Sequence, residues 1–317
     1  MRIPFRVPPR ASNPFDVAGL GENSLDLMVV VAEYPATNTK QRLQRFARQP
    51  GGQIATALAA CSRLGWKARY VGRFGDDEHG RQARESLAVE HVDTSAAVTV
   101  AGTTNRFAII LVDARTGDRT VLWDCHPALA MQPEDVPDDA VTSGRMLLLD
   151  SVDTAAATRA AKLARHAGIP TVLDVEKMRP GILDLLQNID AIIAAEQFPP
   201  ALTGYEDLGR ALEVLQQESG APFVCATLGA EGSLARCGGR EIRTRAFPID
   251  CVDTTGAGDV FRGAFAAACL RAPDGDIEDV MMYANAAAAL NCRALGARGA
   301  LPRPDEVDQL LMARLHM

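Results

Sequence analysis

The sequence predicts a parallel α/β fold, in which helices cover both faces of one sheet and a small β-rich lid is attached. Short apolar runs alternate with helical patterns along most of the 317 residues, and such alternation is typical of parallel sheets with helical crossovers. Two segments, 27–48 and 98–124, are β-like and have no helix between their strands. We expect these two segments to form a small antiparallel lid.

The first elements follow a strand–helix–strand order, after residues 1–14, which we expect to be a loose extension. FDVAGLG (15–21) predicts a buried strand, and LDLMVVVAEYP (25–35) continues as a second extended run. GQIATALAACSRL (52–64) then has a helical pattern, and ARYVGRFG (68–75) predicts the next strand. This order is the beginning of a β-α-β unit.

Later segments repeat the alternation, so the large domain is assigned to residues 15–26, 49–97 and 125–317. The remaining predicted elements are the strand MLLLD (146–150) with the helix TAAATRAAKLARHAG (154–168), the strand PTVLDV (170–175) with the helix PGILDLLQ (180–187), the strand AIIAA (191–195) with a short helix, and the helix DLGRALEVLQQ (207–217) with the strand PFVCATLG (222–229).

The composition argues against several classes of partner. The net charge is −7 and no basic cluster is interleaved with aromatic residues, so nucleic acids and anionic membranes are poor candidates. The seven cysteines form no C-x-x-C pair, which indicates reduced thiols in the cytoplasm. We expect no signal peptide in residues 1–16 and no membrane-spanning run, because the apolar stretches are too short. A small-molecule partner is favoured.

Common catalytic motifs do not fit this chain. A Walker A loop requires a Gly-Lys pair, which the sequence lacks. GLGENS (19–24) departs from the dinucleotide fingerprint at its third glycine and leads into a strand. The five histidines show no H-E-x-x-H spacing, and no G-x-S-x-G elbow occurs. What remains is a pair of glycine-rich turns that each open a helix.

One of these turns, DTTGAGDVFRGAF (253–265), combines glycines with a carboxylate. A glycine-rich turn at a helix start leaves backbone N–H groups unpaired, and these groups bind anions. Asp259 places a negative charge at the same point, which makes sense if the acid handles a proton while the amides handle a phosphate. In the alternative interpretation the turn is only a helix cap, and the helix dipole favours Asp259 by ~0.3–1 kcal/mol.

The complete set of motifs resembles the PfkB/ribokinase family of sugar and nucleoside kinases. DTTGAGDVFRGAF is similar to the family's C-terminal signature, and PGGQIATALAACSRLG (50–65) is similar to its N-terminal one. The other matching segments, in the family's order, are RFGDDEHG (73–80), LTG (202–204), TLGAEG (227–232) and GARGALP (296–302). The resemblance implies a ribokinase-like three-layer α/β/α sandwich with a β lid, a homodimer formed through the lid, and the use of ATP and Mg²⁺.

The resemblance also implies roles for individual residues around the transferred phosphate and the sugar. Asp259 would be the general base, and the amides of Gly256, Ala257 and Gly258 would bind the transferring γ-phosphoryl group. The implied substrate-binding residues are Asp26, Gly51, Gly52, Gln53, Thr56 and Asp150. Asp26 could instead be a simple strand-end acid, and Asp150 a cap for the next helix.

Three positions depart from the ribokinase branch. Ser24, Gln53 and Thr56 stand where that branch has asparagine, lysine and asparagine, so the resemblance puts ribose in doubt. The GGxxAT and GDVFRGAF forms look more like the ketose-kinase branch, which includes sulfofructose kinase and, more distantly, ketohexokinase. A ketose or a ketose derivative is therefore the expected substrate.

For the nucleotide, the implied residues are Glu196, Thr227, Gly229, Gly232, Thr255 and Asn285. Asn285 could instead be an ordinary polar helix position. The family's N-x-x-E motif, which organises magnesium-bound water, is reduced here, because Ala195 and Phe198 replace its asparagine and second acid and leave Glu196. Backbone carbonyls around Asp253, Thr255 and the loop after Cys292 would hold a monovalent cation such as K⁺, if this member keeps one.

The function implied is ATP-dependent transfer of the γ-phosphoryl group to a primary hydroxyl of a furanose sugar. Two alternatives remain open. A nucleoside kinase is less favoured, because a nucleoside pocket usually requires aromatic stacking and aromatic residues make up 5% of the chain. A catalytically silent sugar or nucleotide sensor is disfavoured by the intact Gly-Ala-Gly-Asp sequence and favoured by the reduced N-x-x-E motif.

Overall fold

The computed structural model describes residues 1–116 and 119–315. The strands are β1 (Val17–Leu20), β2 (Ser24–Val31), β3 (Arg45–Gly51), β4 (Ala68–Val71), β5 (Arg73–Gly75), β6 (Val98–Val100), β7 (Phe107–Asp113), β8 (Arg119–Asp124), β9 (Met146–Asp150), β10 (Thr171–Val175), β11 (Ala191–Ala195), β12 (Phe223–Thr227), β13 (Ser233–Cys237) and β14 (Arg240–Thr244). The helices are α1 (Gln53–Arg63), α2 (Glu78–Val89), α3 (Asp138–Val141), α4 (Thr154–His166), α5 (Ile182–Leu186), α6 (Phe198–Thr203), α7 (Leu208–Ser219), α8 (Ala257–Arg271), α9 (Ile277–Asn291) and α10 (Pro304–Leu315).

The main sheet confirms the predicted three-layer α/β architecture. Its strand order is β14-β13-β12-β11-β10-β9-β1-β4, and the strands from β12 to β4 are parallel. Helices α1, α2, α8, α9 and α10 contribute to the core on one face, and α3, α4, α5, α6 and α7 to the core on the other. The predicted parallel strands are buried on both faces, as crossover helices require.

The close packing of α1 against α8 explains why these helices contain so many small residues. A Cβ atom added at Gly263 would lie 2.3 Å from the carbonyl oxygen of Ala57. Most of α8 is buried, and alanine and glycine let the two helix backbones approach closely. This packing fixes the start of α8 beside the start of α1, so the two glycine-rich turns meet at one edge of the sheet.

The lid is a four-stranded sheet with the order β3-β2-β7-β8. β2 pairs antiparallel with β3, and β7 pairs antiparallel with β8, but β2 and β7 are parallel. The prediction of a purely antiparallel lid was therefore wrong for its central pair. Between these two strands the chain passes through the large domain, which supplies the long crossover that a parallel pair requires.

The predicted lid boundaries also differ from the observed ones. The first lid strand begins at Ser24, before the predicted residue 27, and the second strand reaches Gly51. Val98–Val100 forms β6, which pairs with β5 and lies outside the lid sheet. The lid strands therefore cover residues 24–51 and 107–124, with residues 117 and 118 outside the described part of the chain.

The expectation of a loose N-terminal extension was wrong. Ile3 and Val7 are buried in the main core, the amide of Ile3 donates to the carbonyl of Gly275 at 3.1 Å, and the carbonyl of Met1 accepts from Ile277 at 2.7 Å. Apolar side chains alternate with prolines and arginines here, so a short stretch can bury one face.

No helix in residues 1–116 and 119–315 is both long and apolar enough to cross a membrane.

Candidate active site

A cavity of about 470 Å³ lies between the lid, the carboxyl ends of β9 and β10, and the start of α8. This is the edge at which parallel α/β sheets generally bind their ligands. Of the residues predicted for the site, the lining includes Asp26, Gly52, Gln53, Thr255, Gly256, Gly258 and Asp259. The structure thus brings the two glycine-rich turns and both predicted acids of the reaction into one cavity.

The turn before α8 has the backbone geometry of an anion site. Gly256 is left-handed with φ 75°, and a Cβ atom there would lie 2.4 Å from the carbonyl oxygen of Ala297. Within residues 1–116 and 119–315, the amides of Gly256, Gly258 and Asp259 have no backbone hydrogen-bond partner. The amide of Ala257 instead donates to the carbonyl of Thr254 at 3.2 Å. The predicted phosphate contact of Ala257 is therefore not supported, because its N–H closes the turn.

Asp259 lies in the first turn of α8, inside a group of other carboxylates. Burial raises the pKa of Asp259 to about 7; the guanidinium groups of Arg262 and Arg298 lower it, and the carboxylates of Glu176 and Asp150 raise it further. An acid with a pKa near neutrality can accept a proton in the transition state and release it afterwards.

Arg262, one helical turn after Asp259, was not predicted as a site residue. It forms a buried ion pair with Asp174 at 2.7 Å and donates to the carbonyl of Ile193 at 3.1 and 3.3 Å. Burial raises the pKa of Asp174 well above its ordinary value, although Arg262 lowers it. A Cβ atom at Gly258 would lie 2.5 Å from Nη1 of Arg262, so this guanidinium fills the space beneath the anion turn.

The sugar side is formed by the beginning of β2 and the turn before α1. Ser24 Oγ donates to Asp26 Oδ1 at 2.9 Å, and burial raises the pKa of Asp26 to about 6. A Cβ atom at Gly51 would lie 2.3 Å from Asp26 Oδ2, and one at Gly52, where φ is 88°, would lie 2.4 Å from the Cα of Asn23. Both glycines are therefore required for the close approach of this turn to Asp26.

Three predicted substrate residues, Gly51, Thr56 and Asp150, do not line the cavity. Thr56 is fully buried, and its hydroxyl accepts from Nε of Arg298 at 3.2 Å. Asp150 accepts from the amides of Glu22 at 2.6 Å and Val152 at 3.0 Å, and burial raises its pKa to about 6. Thr56 is bonded to the Arg298 side chain and Asp150 to two backbone amides, so the predicted substrate contacts of these two side chains are not supported.

Arg298, within the predicted GARGALP segment, connects three parts of the site. Besides its bond to Thr56, it donates to the carbonyl of Gly51 at 2.9 Å and to Ser86 Oγ at 3.1 Å. Burial lowers the pKa of Arg298 to about 10. This guanidinium therefore fixes the Gly51–Gly52 turn against α1 and α2.

The lid contributes charged and aromatic side chains that sequence reasoning missed. Arg106 pairs with Glu22 and lies over the ring of Trp123, 4.8 Å from its centroid. Burial raises the pKa of Glu22 to about 8; Asp150 raises it further, while Arg106 lowers it. Arg119 donates to Thr254 Oγ1 at 2.6 Å, so the lid is closed onto the anion turn.

Comparison with known proteins decides the family. The family model described as pfkB family carbohydrate kinase matches residues 16–304. The chain belongs to the pfkB family. It is 27% identical over 302 residues to the ribokinase of Bacillus subtilis, covering 93% of this chain and 99% of the relative. It is also 28% identical over 325 residues to fructokinase-1 of rice, covering 93% and 97%.

Among solved structures, Arabidopsis thaliana ribokinase complexed with ribose and ATP superposes with a TM-score of 0.80. The two sequences are 25% identical, with 94% of this chain and 98% of the ribokinase covered. The protein is thus a carbohydrate kinase of the pfkB family, an ATP-dependent phosphotransferase with an alcohol group as acceptor.

Four of the predicted nucleotide residues of this pfkB-family kinase, Glu196, Thr227, Gly229 and Gly232, lie at or shortly after the ends of β11 and β12. Glu196 is exposed directly after β11, and Thr227 Oγ1 lies 3.5 Å from the carbonyl oxygen of Ala194. Gly229 and Gly232 are left-handed, and a Cβ atom at Gly232 would lie 2.1 Å from the carbonyl oxygen of Thr244. Only Thr255 of this predicted set lines the main cavity.

The structure supports the alternative interpretation of Asn285. Its side chain is buried, and its amide nitrogen donates to Ser233 Oγ at 2.8 Å and to the carbonyl of Met281 at 3.0 Å. The bond to Ser233 holds α9 against β13, and the bond to Met281 stays within α9. The amide nitrogen of Asn285 therefore has a structural role, and its contact with adenine stays a prediction.

The loop predicted to hold a monovalent cation is strongly bonded. Asp253 Oδ1 accepts from the amide and the hydroxyl of Thr255 at 2.9 and 2.7 Å, and Oδ2 accepts from the amide of Gly296 at 2.8 Å. The carbonyl of Cys292 accepts from the amides of Val252 and Asp253. In the described residues, no cluster of three or more His, Cys, Asp or Glu side chains has the arrangement of a metal site.

Proposed function

We propose that this kinase transfers the γ-phosphoryl group of ATP to a primary hydroxyl of a furanose sugar. The observation that carries the proposal is the shared cavity, in which the Asp259 carboxyl, the unpaired amides of Gly256 and Gly258, and the Asp26 carboxyl all meet. Such a cavity can hold an alcohol and a phosphate side by side, which is what phosphoryl transfer mainly requires.

In the proposed mechanism Asp259 accepts the proton of the attacking hydroxyl. Its pKa of about 7 keeps a substantial fraction deprotonated at neutral pH and gives an efficient base. The amides of Gly256 and Gly258 stabilise the negative charge on the transferring oxygens, and preorganised N–H donors do so without reorganisation during the reaction. Asp26 binds and orients hydroxyl groups of the sugar.

Lid closure supports this assignment. Arg119 reaches from β8 to Thr254 in the anion turn, and Val121 and Trp123 of the same strand line the cavity. A closed lid excludes water, which would otherwise compete with the sugar for the phosphoryl group. The inner lid face also includes Asp26, Ala108 and Ile110, so sugar binding and lid closure involve the same strands.

The carboxylates at this edge of the sheet fit a nucleotide-bound magnesium ion. Glu176 lines the cavity and Glu196 is exposed beyond β11, and Mg²⁺ is usually held by one or two carboxylates together with phosphates and water. Glu176 and Glu196 are therefore the proposed holders, and the bound ion would neutralise charge on the phosphates. A monovalent cation at the backbone of Asp253 and Thr255 stays a prediction.

A ketose or ketose derivative remains the proposed acceptor, because Ser24 and Gln53 line the cavity and both depart from the ribokinase branch. The names of the relatives include ribokinase and fructokinase, and they do not choose between an aldose and a ketose. A nucleoside is the second candidate, since Trp123 supplies an aromatic ring in the cavity wall. That ring is already covered by Arg106, which argues for the sugar.

We also propose a homodimer that covers the outer lid face. Strand pairing places Leu27, Val29, Phe46, Ile109, Leu111 and Leu122 on the face opposite to Asp26 and Met28. Phe46 and Leu122 are more than half exposed, and apolar patches of this kind mark interfaces. Sedimentation should give a dimer at micromolar concentration, and Phe46→Glu should shift it toward monomer; a wild-type monomer would contradict the proposal.

The proposed location is the cytoplasm, because all seven cysteines are free thiols and five of them are buried.

A coupled ADP-release assay with a panel of aldoses, ketoses and nucleosides tests the function. Phosphorylation of a furanose sugar at its primary hydroxyl is the expected result, and NMR of the product identifies the position. Preferential phosphorylation of ribose over fructose and its derivatives would contradict the ketose assignment. Binding of a sugar without ADP release would indicate the silent-sensor alternative.

A further inference from the structure

A second cavity of about 280 Å³ adjoins the main one on the side away from the anion turn. The two cavities share Glu22, Arg106, Trp123, Val152 and Arg179 as a common wall. None of the residues from Thr254 to Arg262 lines the second cavity. A substrate whose reacting hydroxyl lies at Asp259 could therefore extend through the shared wall into this space.

The shared wall contains two guanidinium groups. Arg179 follows β10 and is partly buried, and its guanidinium makes no hydrogen bond or ion pair with any residue in the described part of the chain, although its carbonyl accepts from the amide of Ile182 at 3.2 Å. Arg106 lies between the Glu22 carboxyl and the Trp123 ring. Arg73, also in the second cavity, is already neutralised by Asp135 at 2.6 Å and donates to the carbonyls of Ala128 and Ala130.

The single acidic side chain of the wall, Glu22, does not cancel the charges of the two arginines. Burial raises the pKa of Glu22 to about 8, so at neutral pH this side chain holds a proton for most of the time and leaves the charge of Arg106 uncompensated. Asp153 lines the second cavity but not the shared wall; it accepts from the amide of Met131 at 2.9 Å, and burial raises its pKa while Arg179 lowers it. The wall is therefore cationic in a protein whose net charge is −7.

We propose that the shared wall is an anion subsite, and that the sugar phosphorylated here carries a phosphate or carboxylate group bound by Arg106 and Arg179. This inference rests on the proposed function. Arginine matches the planar, bidentate geometry of both anions, and a neutral sugar would leave the free guanidinium of Arg179 without a partner.

The strand order separates this subsite from the proposed nucleotide position. Glu22 follows β1, and the second cavity extends beside β9, whereas Glu196 and Thr227 lie at the ends of β11 and β12. The anion turn and Asp259 lie in the main cavity between these two sides. The phosphates of ATP therefore reach the anion turn from the side opposite to Arg106.

The kinetic test compares matched acceptors that all keep a free primary hydroxyl: ribose with ribose 1-phosphate, fructose with fructose 6-phosphate, and gluconate as a carboxylate. We expect kcat/KM to be higher for an anionic acceptor than for its neutral parent by roughly 10- to 100-fold, the effect of charge-assisted hydrogen bonds. Arg179→Gln and Arg106→Gln should each lower this preference ratio. Comparison of the two sugar phosphates with gluconate shows whether the anion bound by the subsite is a phosphate or a carboxylate group.

Arg6→Gln is the matched control, because it removes an exposed arginine that lines neither cavity, and it should leave the ratio unchanged. A wild-type ratio near one would overturn the anion subsite. A rise in the KM for ATP in Arg179→Gln, with an unchanged acceptor ratio, would assign this arginine to the nucleotide and also overturn it.

A binding arm separates failure of the subsite from failure of the kinase assignment. Calorimetry without ATP should show tighter binding of fructose 6-phosphate than of fructose, and Arg179→Gln should remove the difference. Equal binding of the two sugars overturns the subsite even if the protein is an active sugar kinase. A preserved difference together with no ADP release for any acceptor supports the subsite and rejects the proposed function.

Discussion

The two ends of the cavity differ in what supplies their functional groups. At the α8 end, one turn of four consecutive residues provides the amides of Gly256 and Gly258 and the carboxyl of Asp259. At the lid end, Glu22, Arg106 and Arg179 come from three separate segments and act through their side chains. The first end is a backbone structure with one acid, and the second is a side-chain cluster that only the tertiary fold assembles.

This difference indicates which amino-acid substitutions each end of the cavity can tolerate. A backbone turn leaves few substitutions that keep its geometry, so the phosphoryl-transfer end is constrained by φ angles and close approaches. Side chains on a lid and on loops after strands can be exchanged singly with little effect on the fold. We therefore expect mutations at the α8 end to affect kcat, and mutations at the lid end to affect the choice of acceptor.

The largest effect is expected for Asp259→Asn, which removes the base but preserves its shape. We expect kcat to fall by ~10²–10⁴, the usual contribution of a general base, with the affinity for ATP nearly unchanged. Steady-state ADP release and nucleotide titration measure the two quantities. If the variant kept more than about a third of wild-type turnover, Asp259 would have no place in the mechanism.

Gly256→Ala tests the backbone turn itself. The left-handed φ of 75° and the 2.4 Å approach to the carbonyl of Ala297 would force the turn to move, and loss of one such donor lowers kcat by ~10²–10³. Gly168→Ala is the matched control, because φ is 69° there and a Cβ atom meets nothing within 4 Å. Its strain should cost ~1–2 kcal/mol of stability without loss of activity, and equal inactivation of both variants would favour the simple helix cap.

Arg298→Met tests a residue that positions the sugar end without lining the cavity. The carbonyl of Gly51 and the hydroxyls of Thr56 and Ser86 would each lose a donor, at ~1–3 kcal/mol for each group left unpaired. We expect the KM for the sugar to rise about tenfold, with a smaller change in kcat, since the Gly51–Gly52 turn loosens.

Two variants make this prediction specific. Arg298→Lys should restore part of the KM by replacing one or two of the bonds. Arg293→Met removes an arginine that bonds to Leu290 and Glu306 outside the cavity, and it should leave the KM unchanged. A loss confined to kcat in Arg298→Met would contradict a positioning role.

The pH dependence is expected to be the smallest effect. Because Asp259 must be deprotonated to act as a base, kcat/KM should increase about tenfold per pH unit up to its pKa of about 7 and then level off. A pH–rate profile of the wild type measures this limb, and Asp259→Asn should lack it. An acid limb that stays in the variant would assign the titration to another group.

Stability should change with pH in the opposite direction. The pKa values of Glu22, Asp26, Asp150 and Asp259 are all raised by burial, so between about pH 4 and pH 8 the folded state binds more protons than the unfolded state. The contribution of these carboxyls to stability is then lost as pH rises through this range. Melting curves of the free enzyme should show the decline, with a smaller decline in Asp259→Asn.

Elements with a strong local pattern could be predicted from the sequence. The all-buried strand β9 and the helix α8 behind its glycine turn both follow from consecutive residues. The parallel pairing of β2 with β7 could not be predicted, because it depends on the path of the intervening chain through the large domain. The buried N-terminal segment was missed for a similar reason, since Ile3 packs against residues near Gly275.

The residues of the candidate site also divide into those with a local sequence signal and those that only the tertiary fold brings together. Asp259 and Gly256 were found because a short motif carries them, and Asp26 because its position matches the family resemblance, whereas Arg106 and Arg179 have no local signal. Arg262 did have one, as a charged residue inside an almost fully buried helix, and such a residue usually needs a buried partner such as Asp174. Thr56 lies inside the 50–65 motif and Asp150 and Asn285 lie outside the quoted motifs, and polar atoms of all three side chains bond to the protein itself.

The bond between Arg298 and Gly51 joins residues 247 positions apart in the chain. During synthesis the Gly51–Gly52 turn leaves the ribosome long before Arg298 is made, and chains begin to fold from the N-terminal side. Until that arginine arrives, the carbonyl of Gly51 and the hydroxyl of Thr56 have no donor from this side chain. The acceptor end is therefore completed late, and the kinase gains its full sugar site only when the segment around residue 298 has been made and has docked.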